Sequence, residues 1–313
     1  MRALGSSGEY SEQPKPVVQT PHDVLIQVAY ADLNPVDLQK KPLVATGFSG
    51  SGIVREVGSA STLTVGSRVA FLTNRGGAYA EWIVVDDRGV VELVDSVDLR
   101  SAAAAPLAGC TAYEALEKMQ IRQRSSLLIV GGAGGVGSWA TLLARSWNPS
   151  LEIVCTTSKD DGWCEAQGAS RTIRHKEIES LGGRREGSMD AILCLVEPEP
   201  DVFDSLTEVI RPFGCICLVV AGYSMSSLDL DFAFFKSATI ATETVFSRFR
   251  TQFANGDSRQ MLTELLQLPA PLSPTLNGDE DWSDAVKDGG ILEQLASGHT
   301  RGKLVMRIAS LDG

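Results

Sequence analysis

Residues 130–137, VGGAGGVG, lie between a short run at 126–130, apolar after Ser126, and a helical pattern. An uninterrupted apolar run is typical of a strand buried on both faces. Gly132, Gly134 and Gly137 therefore form a G-x-G-x-x-G turn in the strand–turn–helix context that gives this motif its meaning. Such glycines allow a tight turn, close approach of a pyrophosphate, and close packing of helix on strand. We predict a dinucleotide-binding loop rather than an ordinary glycine-rich turn.

The next strand predicts which dinucleotide binds. Residues 151–155, LEIVC, form the predicted second strand, which ends in TTSK at 156–159. Its tip lacks the carboxylate that holds the ribose hydroxyls of NAD. Ser158 and Lys159 offer a hydroxyl and a positive charge, which suit the 2′-phosphate of NADPH. The two aspartates at 160–161 could be argued for NAD, but they follow the turn and are better placed to cap the next helix. The pattern favours NADPH.

Composition narrows the range of partners. The chain has 313 residues, and its net charge of −11 argues against nucleic acid and anionic membranes as partners. No apolar run is long enough to span a bilayer, and the first residues lack the apolar core of a signal peptide, so we expect a cytoplasmic protein. The six cysteines form no C-x-x-C pair and the three histidines are scattered, so no metal is expected.

Hydrophobic periodicity changes along the chain. Short strands punctuated by glycine fill the first hundred residues and predict a small, strongly bent β domain. An alanine-rich helix follows at 101–119, broken near Pro106 and Gly109, and then apolar strands alternate with helices to about residue 245. That alternation predicts an α/β fold with a doubly wound parallel sheet. We place the β domain at 1–103 and 258–313, and the dinucleotide-binding Rossmann domain at 104–257.

Several short motifs resemble, in their order, those of the medium-chain dehydrogenase/reductase superfamily, and within it the zinc-free quinone oxidoreductase and enoyl reductase branch. The resemblance covers nearly the whole chain and implies a GroES-like β domain followed by a Rossmann domain. The motifs that carry it are NPVD at 34–37, the glycine–valine pattern of 47–58, GAYAE at 77–81, GCTAY at 109–113, the glycine loop, and Gly302-Lys303.

Zinc ligands are missing where zinc-dependent relatives have them. The resemblance aligns Asn34, Phe48 and Leu107 with a cysteine, a histidine and a cysteine of those relatives. These three side chains cannot form a tetrahedral nitrogen–sulfur site, so we expect no catalytic zinc. Cys110 lies out of register with the ligand position, and we interpret it as a small packed side chain.

The resemblance also implies cofactor contacts, each with an alternative. Asn34 is placed to touch the nicotinamide or its ribose, or else is a turn residue before proline. Thr111 meets the cofactor near the nicotinamide, or bonds to its own helix. His175 lies near the adenine, or in a solvated loop. Ala221 and Gly222 line the nicotinamide edge, or start a loop. The glycine-loop contacts are Gly132, Gly134, Gly135 and Val136.

The implied activity is hydride transfer from NADPH to the C=C bond of an α,β-unsaturated carbonyl, or to a quinone, without zinc. No side chain is singled out as the proton donor, although Tyr79, Tyr113 and Tyr223 have the required chemistry. Residues 38–46 are shorter than in relatives. That shortening and the missing proton donor motivate one alternative, a redox-neutral isomerase or cyclase. A nucleotide-binding protein without turnover is a further alternative. We expect a small-molecule substrate, and a homodimer formed through 215–220 and 232–245.

Overall fold

The computed structural model describes residues 1–4, 10–38, 46–159, 162–182, 186–197, 199–220, 228–250, 258–268, 276–281, 287 and 290–309. The chain divides into two compact units, Met1–Cys110 with Val245–Gly313, and Thr111–Thr244. No helix in these described ranges is long and apolar enough to cross a membrane.

Strands and helices are numbered along the chain. The strands are β1 Arg2–Leu4, β2 Tyr10–Glu12, β3 Asp23–Leu33, β4 Ser49–Val57, β5 Arg68–Leu72, β6 Trp82–Asp86, β7 Val90–Glu92, β8 Ser126–Val130, β9 Glu152–Thr157, β10 Arg171–Arg174, β11 Met189–Cys194, β12 Ile210–Leu218, β13 Thr239–Thr242, β14 Leu276–Asp281 and β15 Lys303–Arg307. The helices are α1 Leu99–Ala103, α2 Pro106–Lys118, α3 Gly135–Trp147, α4 Trp163–Ala166, α5 Pro200–Val209, α6 Asp231–Phe235, α7 Ser247–Arg250, α8 Arg259–Leu266 and α9 Ile291–Ala296. Turns of 3-10 helix cover Pro35–Leu38, Asp87–Gly89, Ile121–Gln123 and His175–Leu181.

The first unit is built on a seven-stranded sheet in the order β14-β15-β3-β4-β5-β7, with β6 also paired to β3. Its long central strand β3 is buried along most of its length. The β3–β4 register shifts twice, between Leu25 and Ile26 and between Val28 and Tyr30. Such bulges bend a strand and increase its twist, which explains why one strand can pair with β15, β4 and β6. The bent β domain is confirmed.

The second unit holds a six-stranded sheet in the order β10-β9-β8-β11-β12-β13. Every neighbouring pair in it is parallel. This is the strand order of a doubly wound dinucleotide fold, with β8 as its first strand. The central strand β8 is buried at all five positions, as its apolar sequence requires. The predicted α/β fold class with a Rossmann sheet is therefore confirmed.

The structure differs from the helix predicted at 101–119 in where that helix is broken. The first helix ends at Ala103, and Pro106 then starts α2, where the missing proline N–H costs nothing. Gly109 does not break the helix, so that part of the prediction is wrong. A Cβ at Gly109 would lie 2.9 Å from Leu265 Cδ1, so the glycine serves close packing inside a continuous helix.

A buried lysine closes the end of α5. The ammonium group of Lys236 donates to the carbonyl oxygens of Thr207, Glu208 and Ile210 at 2.9, 2.6 and 2.8 Å. The last carbonyls of a helix have no partner within the helix, and a cation placed there also complements the helix dipole. Lys236 therefore ties α6 to the C-terminal end of α5.

Candidate functional site

The glycines of the loop have different structural roles. Gly131 has φ +87°, a left-handed conformation that makes the turn out of β8. A Cβ at Gly132 would lie 2.6 Å from Cys155 Cβ, and one at Gly137 would lie 2.6 Å from the carbonyl oxygens of Gly131 and Gly132. These two positions are glycine because strand and helix pack closely there. A Cβ at Gly134 would meet nothing nearer than 3.6 Å, so the loop surface at Gly134 is open.

Helix α3 begins directly at this open surface. Gly134 is its N-cap residue, and Gly135 and Val136 form its first turn, where both are partly exposed. Thr156 holds the loop to β9, since its Oγ1 accepts from the Gly131 amide at 3.2 Å and its carbonyl oxygen accepts from the Gly132 amide at 3.0 Å. A helix N-terminus without an overhanging side chain fits a pyrophosphate.

Two cationic residues, Lys159 and Arg174, stand at the neighbouring ends of β9 and β10. Ser158 and Lys159 are exposed directly after β9, and the Lys159 amide donates to Thr157 Oγ1 at 3.0 Å. Arg174 stands opposite Thr157 in the parallel register, and its guanidinium donates to the carbonyl oxygen of Ser158. Arg174 therefore stands beside Ser158 and Lys159, the two residues predicted to face a 2′-phosphate. We call these three residues the cationic tip. The aspartates at 160–161 lie outside the described residues.

His175 lies beside this tip and starts the 3-10 turn 175–181. Its Nδ1 is 2.7 Å from Thr156 Oγ1, the same hydroxyl that receives the Gly131 amide. His175 is thus linked to the glycine loop through the Thr156 side chain, and partial burial of the imidazole lowers its pKa. Glu177, a carboxylate in the same turn, accepts from the backbone amide of Arg174 at 2.8 Å.

Asn34 belongs to a buried polar cluster in the first unit. Its backbone amide donates to Asp37 Oδ2 at 2.7 Å, and its side-chain Oδ1 accepts from Lys303 Nζ at 2.6 Å. Tyr79 donates its hydroxyl to Asp37 Oδ2 at 2.8 Å. Burial, followed by the charge of Asp32, raises the pKa of the Asp37 carboxyl to about 7. Burial likewise raises the pKa of the Tyr79 phenol well above its usual value.

Asp37 and Lys303 belong to the motifs that carry the family resemblance, and the sequence patterns predict no function for either residue. The signal that could have found them is the pairing of an N-x-x-D motif with a lysine in a late apolar strand. A lysine that is 2% exposed needs buried acceptors, and NPVD is a segment that supplies them.

The remaining predicted residues are distributed as follows. Thr111 lies buried within α2. Ala221, Gly222 and Tyr223 lie outside the described residues. Tyr113 contacts the Trp147 ring edge-on at a centroid distance of 4.8 Å, which is a packing role.

The donor set does not fit zinc. Asn34, Phe48 and Leu107 are all buried, and Phe48 packs on Phe246 with ring centroids 5.0 Å apart. Among the described residues, no group of three His, Cys, Asp or Glu side chains could hold a metal ion. Cys110 is fully buried, and burial raises the pKa of its thiol, so it lacks the thiolate character of a ligand.

The strand order and the glycine loop define a Rossmann-type protein with an added β unit, and comparison with known proteins agrees. The family model described as alcohol dehydrogenase GroES-like domain matches residues 20–95. A zinc-type alcohol dehydrogenase-like protein of Staphylococcus aureus is 30% identical over 257 residues, which cover 76% of this chain and 75% of that protein. Human quinone oxidoreductase is 27% identical over 246 residues, covering 74% of each chain.

Solved structures show the same fold. The quinone oxidoreductase of Coxiella burnetii superposes with a TM-score of 0.81 at 24% identity, and the match covers 99% of both chains. The chain belongs to the medium-chain dehydrogenase/reductase superfamily, and quinone oxidoreductases are among its relatives. The family predicted from the motifs is therefore confirmed.

Proposed function

We propose that this protein is an NADPH-dependent, zinc-independent oxidoreductase that reduces the C=C bond of an α,β-unsaturated carbonyl compound, or a quinone. Its similarity to quinone oxidoreductases supports the oxidoreductase class. The observation that carries the choice of NADPH is the cationic tip formed by Ser158, Lys159 and Arg174 at the ends of β9 and β10. A 2′-phosphate needs donors and positive charge at this position, whereas the ribose of NADH needs a carboxylate.

Each part of the second unit has a task in this proposal. The open backbone at Gly134, Gly135 and Val136 would hold the pyrophosphate at the start of α3. His175 and Thr156 keep the loop and the cationic tip in one arrangement. When bound, NADPH supplies the hydride. The protein therefore has to bind and orient the cofactor and the substrate, and to exclude water. Thr111, Ala221 and Gly222 remain proposed contacts near the nicotinamide.

The side chains at the positions of the zinc ligands support zinc independence. Asn34, Phe48 and Leu107 offer no nitrogen–sulfur ligand set, and Phe48 makes this part of the first unit apolar. Negative charge that develops on a substrate oxygen must then be met by hydrogen-bond donors. A relative called zinc-type is similar in sequence, and this chain lacks nitrogen and sulfur ligands at the three positions named.

The cofactor choice is tested by measuring NADPH and NADH dissociation constants by calorimetry. We expect Lys159→Ala and Arg174→Ala each to raise the Kd for NADPH roughly tenfold, because each removes a charged hydrogen-bond donor of about 1.5 kcal/mol or more. The Kd for NADH should change little. Arg171→Ala is the matched control, since Arg171 lies at the opposite end of β10 and pairs only loosely with Glu152 at 3.6 Å. Tighter binding of NADH by the unmodified protein would overturn the assignment.

Turnover is tested by following the absorbance of reduced nicotinamide in the presence of simple enones, enoyl thioesters and quinones. Consumption of NADPH with one of these classes supports the proposal. Product formation without loss of NADPH would support redox-neutral chemistry instead.

We also propose a homodimer formed through the open edge of the parallel sheet. Strand β12 has neighbours on both sides, so residues 215–220 cannot pair with a second copy as expected, and β13 is the edge strand. Phe213, Phe234 and Phe235 are 75%, 79% and 80% exposed in the same unit. An unpaired edge with large exposed apolar side chains is typical of an interface. Sedimentation should give a dimer, and Phe235→Glu should weaken it; a monomer at micromolar concentration would exclude this proposal.

A further inference from the structure

His175 and the glycine loop share one buried hydroxyl group. Thr156 is fully buried, and its Oγ1 accepts from the Gly131 amide at 3.2 Å. The same oxygen lies 2.7 Å from His175 Nδ1. Among the described residues, these two nitrogens are the hydrogen-bond partners of the Thr156 hydroxyl group. Because an amide N–H can only donate, the hydroxyl proton is donated to His175.

This hydrogen bond determines where the imidazole carries its proton. A ring nitrogen that accepts a hydrogen bond is unprotonated, so the proton of neutral His175 is on Nε2. Protonating Nδ1 would leave the Thr156 hydroxyl proton buried without an acceptor, which costs free energy. Partial burial of the ring also lowers the pKa of His175. The free protein therefore favours a neutral imidazole whose Nε2–H group points away from Thr156.

His175 lies between the two phosphate sites of the proposed function. It follows Arg174 of the cationic tip in the chain, and Thr156 connects its ring to the turn at Gly131. A nucleotide with its pyrophosphate at the start of α3 and its 2′-phosphate at the cationic tip has its adenosine ribose between them. His175 has an exposed surface, so its Nε2–H group is open to such a ligand.

Several charged residues surround the turn 175–181, which packs against β9, β10 and α5. At the far ends of β9 and β10, Glu152 pairs with Arg171 at 3.6 Å. The other ionisable residues of these elements, the turn and the cationic tip are Lys159, Arg174, Lys176, Glu177, Glu179, Asp201, Asp204 and Glu208. None of these charges contributes to the shift in the pKa of His175, which burial causes. A bound phosphate would therefore add an electrostatic effect that the free protein lacks.

We propose that His175 is a specificity-determining residue that takes up a proton when a nucleotide with a 2′-phosphate binds, so that the preference for this nucleotide grows as the pH falls. This inference rests on the function proposed above. The imidazolium Nε2–H group donates to a phosphate oxygen, and the phosphate charge offsets the cost of the Nδ1 proton at Thr156. A neighbouring opposite charge favours the charged form of histidine, so the bound 2′-phosphate raises the pKa of His175. The ribose of NADH has no such charge.

The pH at which the extra affinity appears depends on the pKa of His175 in the free protein and in the complex. Well above both values, the imidazole is neutral with and without the nucleotide, and it adds no pH-dependent affinity. As the pH falls below the value in the complex, the bound protein takes up a proton and the affinity for the 2′-phosphate increases. Below the value in the free protein, this increase is complete.

Calorimetric titration with NADP⁺ and NAD⁺ at about pH 7.5 and about pH 5.5 tests the proposal. The oxidised cofactors are used because the reduced forms decompose in acid, and NADP⁺ carries the same 2′-phosphate as NADPH. His175→Gln supplies an uncharged side chain that gains no proton. Lys176→Gln is the matched control, because lysine stays charged throughout this pH range.

The expected result is a difference between these proteins in the effect of pH on the Kd. From the higher to the lower pH, the Kd for NADP⁺ should fall roughly five- to tenfold more in the unmodified protein and in Lys176→Gln than in His175→Gln, since one pKa unit corresponds to a factor of about ten. The 2′-phosphate itself titrates near about pH 6, but this contribution is common to all three proteins. The Kd for NAD⁺ should change equally in all three.

Nuclear magnetic resonance of the imidazole gives a readout at the single residue. The chain has three histidines, and the His175 signals are identified by their loss in His175→Gln. In the free protein at about pH 7.5, the nitrogen signals should show an unprotonated Nδ1 and a protonated Nε2. Saturating NADP⁺ should raise the pKa of His175, whereas saturating NAD⁺ should leave it unchanged.

The outcomes separate this inference from the proposed function. A protonated Nδ1 in the neutral ring, or an equal pH dependence of the Kd for NADP⁺ in the unmodified protein and in His175→Gln, would overturn the inference. If NADP⁺ still binds more tightly than NAD⁺ in that case, the proposed function stands. If neither cofactor binds, or NAD⁺ binds more tightly at both pH values, the proposed function fails and this inference fails with it.

Discussion

Gly134 and Gly137 lie three residues apart, and they offer a way to separate cofactor binding from folding. Gly134 has φ −72° and ψ 177°, a conformation that alanine adopts readily, and its added Cβ would meet nothing nearer than 3.6 Å. The Cβ of Gly137→Ala would instead lie 2.6 Å from two backbone carbonyl oxygens. One substitution therefore projects into open space, and the other into the protein.

The two variants should differ in both stability and affinity. We expect Gly134→Ala to leave the stability unchanged or to raise it by about 0.4–1 kcal/mol, since alanine restricts the unfolded chain. Its methyl group occupies the surface where we propose that the pyrophosphate binds. Losing one hydrogen bond to a charged phosphate costs about 1.5–3 kcal/mol, so the Kd for NADPH should rise roughly 10- to 100-fold. Gly137→Ala should destabilise by about 1–3 kcal/mol through overpacking.

The assays are thermal denaturation without cofactor and calorimetric titration with NADPH. Stability is measured on the free protein because a bound cofactor would raise the melting temperature by mass action. Gly134→Ala with unchanged affinity for NADPH would refute the position of the phosphates. Gly134→Ala with a large loss of stability would refute the interpretation of the open loop surface.

Two further predictions concern stability. Lys236→Met should destabilise by about 3 kcal/mol, because buried carbonyl oxygens at the end of α5 lose their donor; urea denaturation measures this, with exposed Lys176→Met as a control that should show less than about 0.5 kcal/mol. Because burial raises the pKa of Asp37 to about 7, the folded protein holds a proton that the unfolded chain releases above about pH 4. Stability should therefore fall as the pH rises from about 4 to about 7, by about 4 kcal/mol in total, and Asp37→Asn should lack this component; an identical pH dependence in the variant, measured by urea denaturation, would contradict the assignment.

Much of the second unit could be predicted from local patterns. A parallel strand buried on both faces consists mainly of apolar residues, so β8 and its neighbours are visible as short, mainly apolar runs. The glycine loop is equally local, since every residue of the turn lies within 130–137. The predicted helix break near Gly109 is wrong because this glycine is required by packing against Leu265 and not by a turn. Leu265 is far away in the chain, so no local pattern shows the contact.

Contacts between distant segments depended on the tertiary structure. Asn34 and Lys303 are 269 positions apart, and they meet only because β15 pairs with β3, which places Lys303 beside the end of that strand. No periodicity of either segment encodes the distance of 2.6 Å between Lys303 Nζ and Asn34 Oδ1. Arg174 joins Ser158 for a similar reason, through the parallel register of β9 and β10.

The sequence by itself thus determined the α/β class, the family and the residue types that a nucleotide site requires. Its local periodicities are sufficient for this, because burial dictates polarity position by position. The contact between Lys303 and Asn34, and the contact between Arg174 and Ser158, were decided by strand pairing. Hydrogen bonds depend on distances that only the folded chain defines.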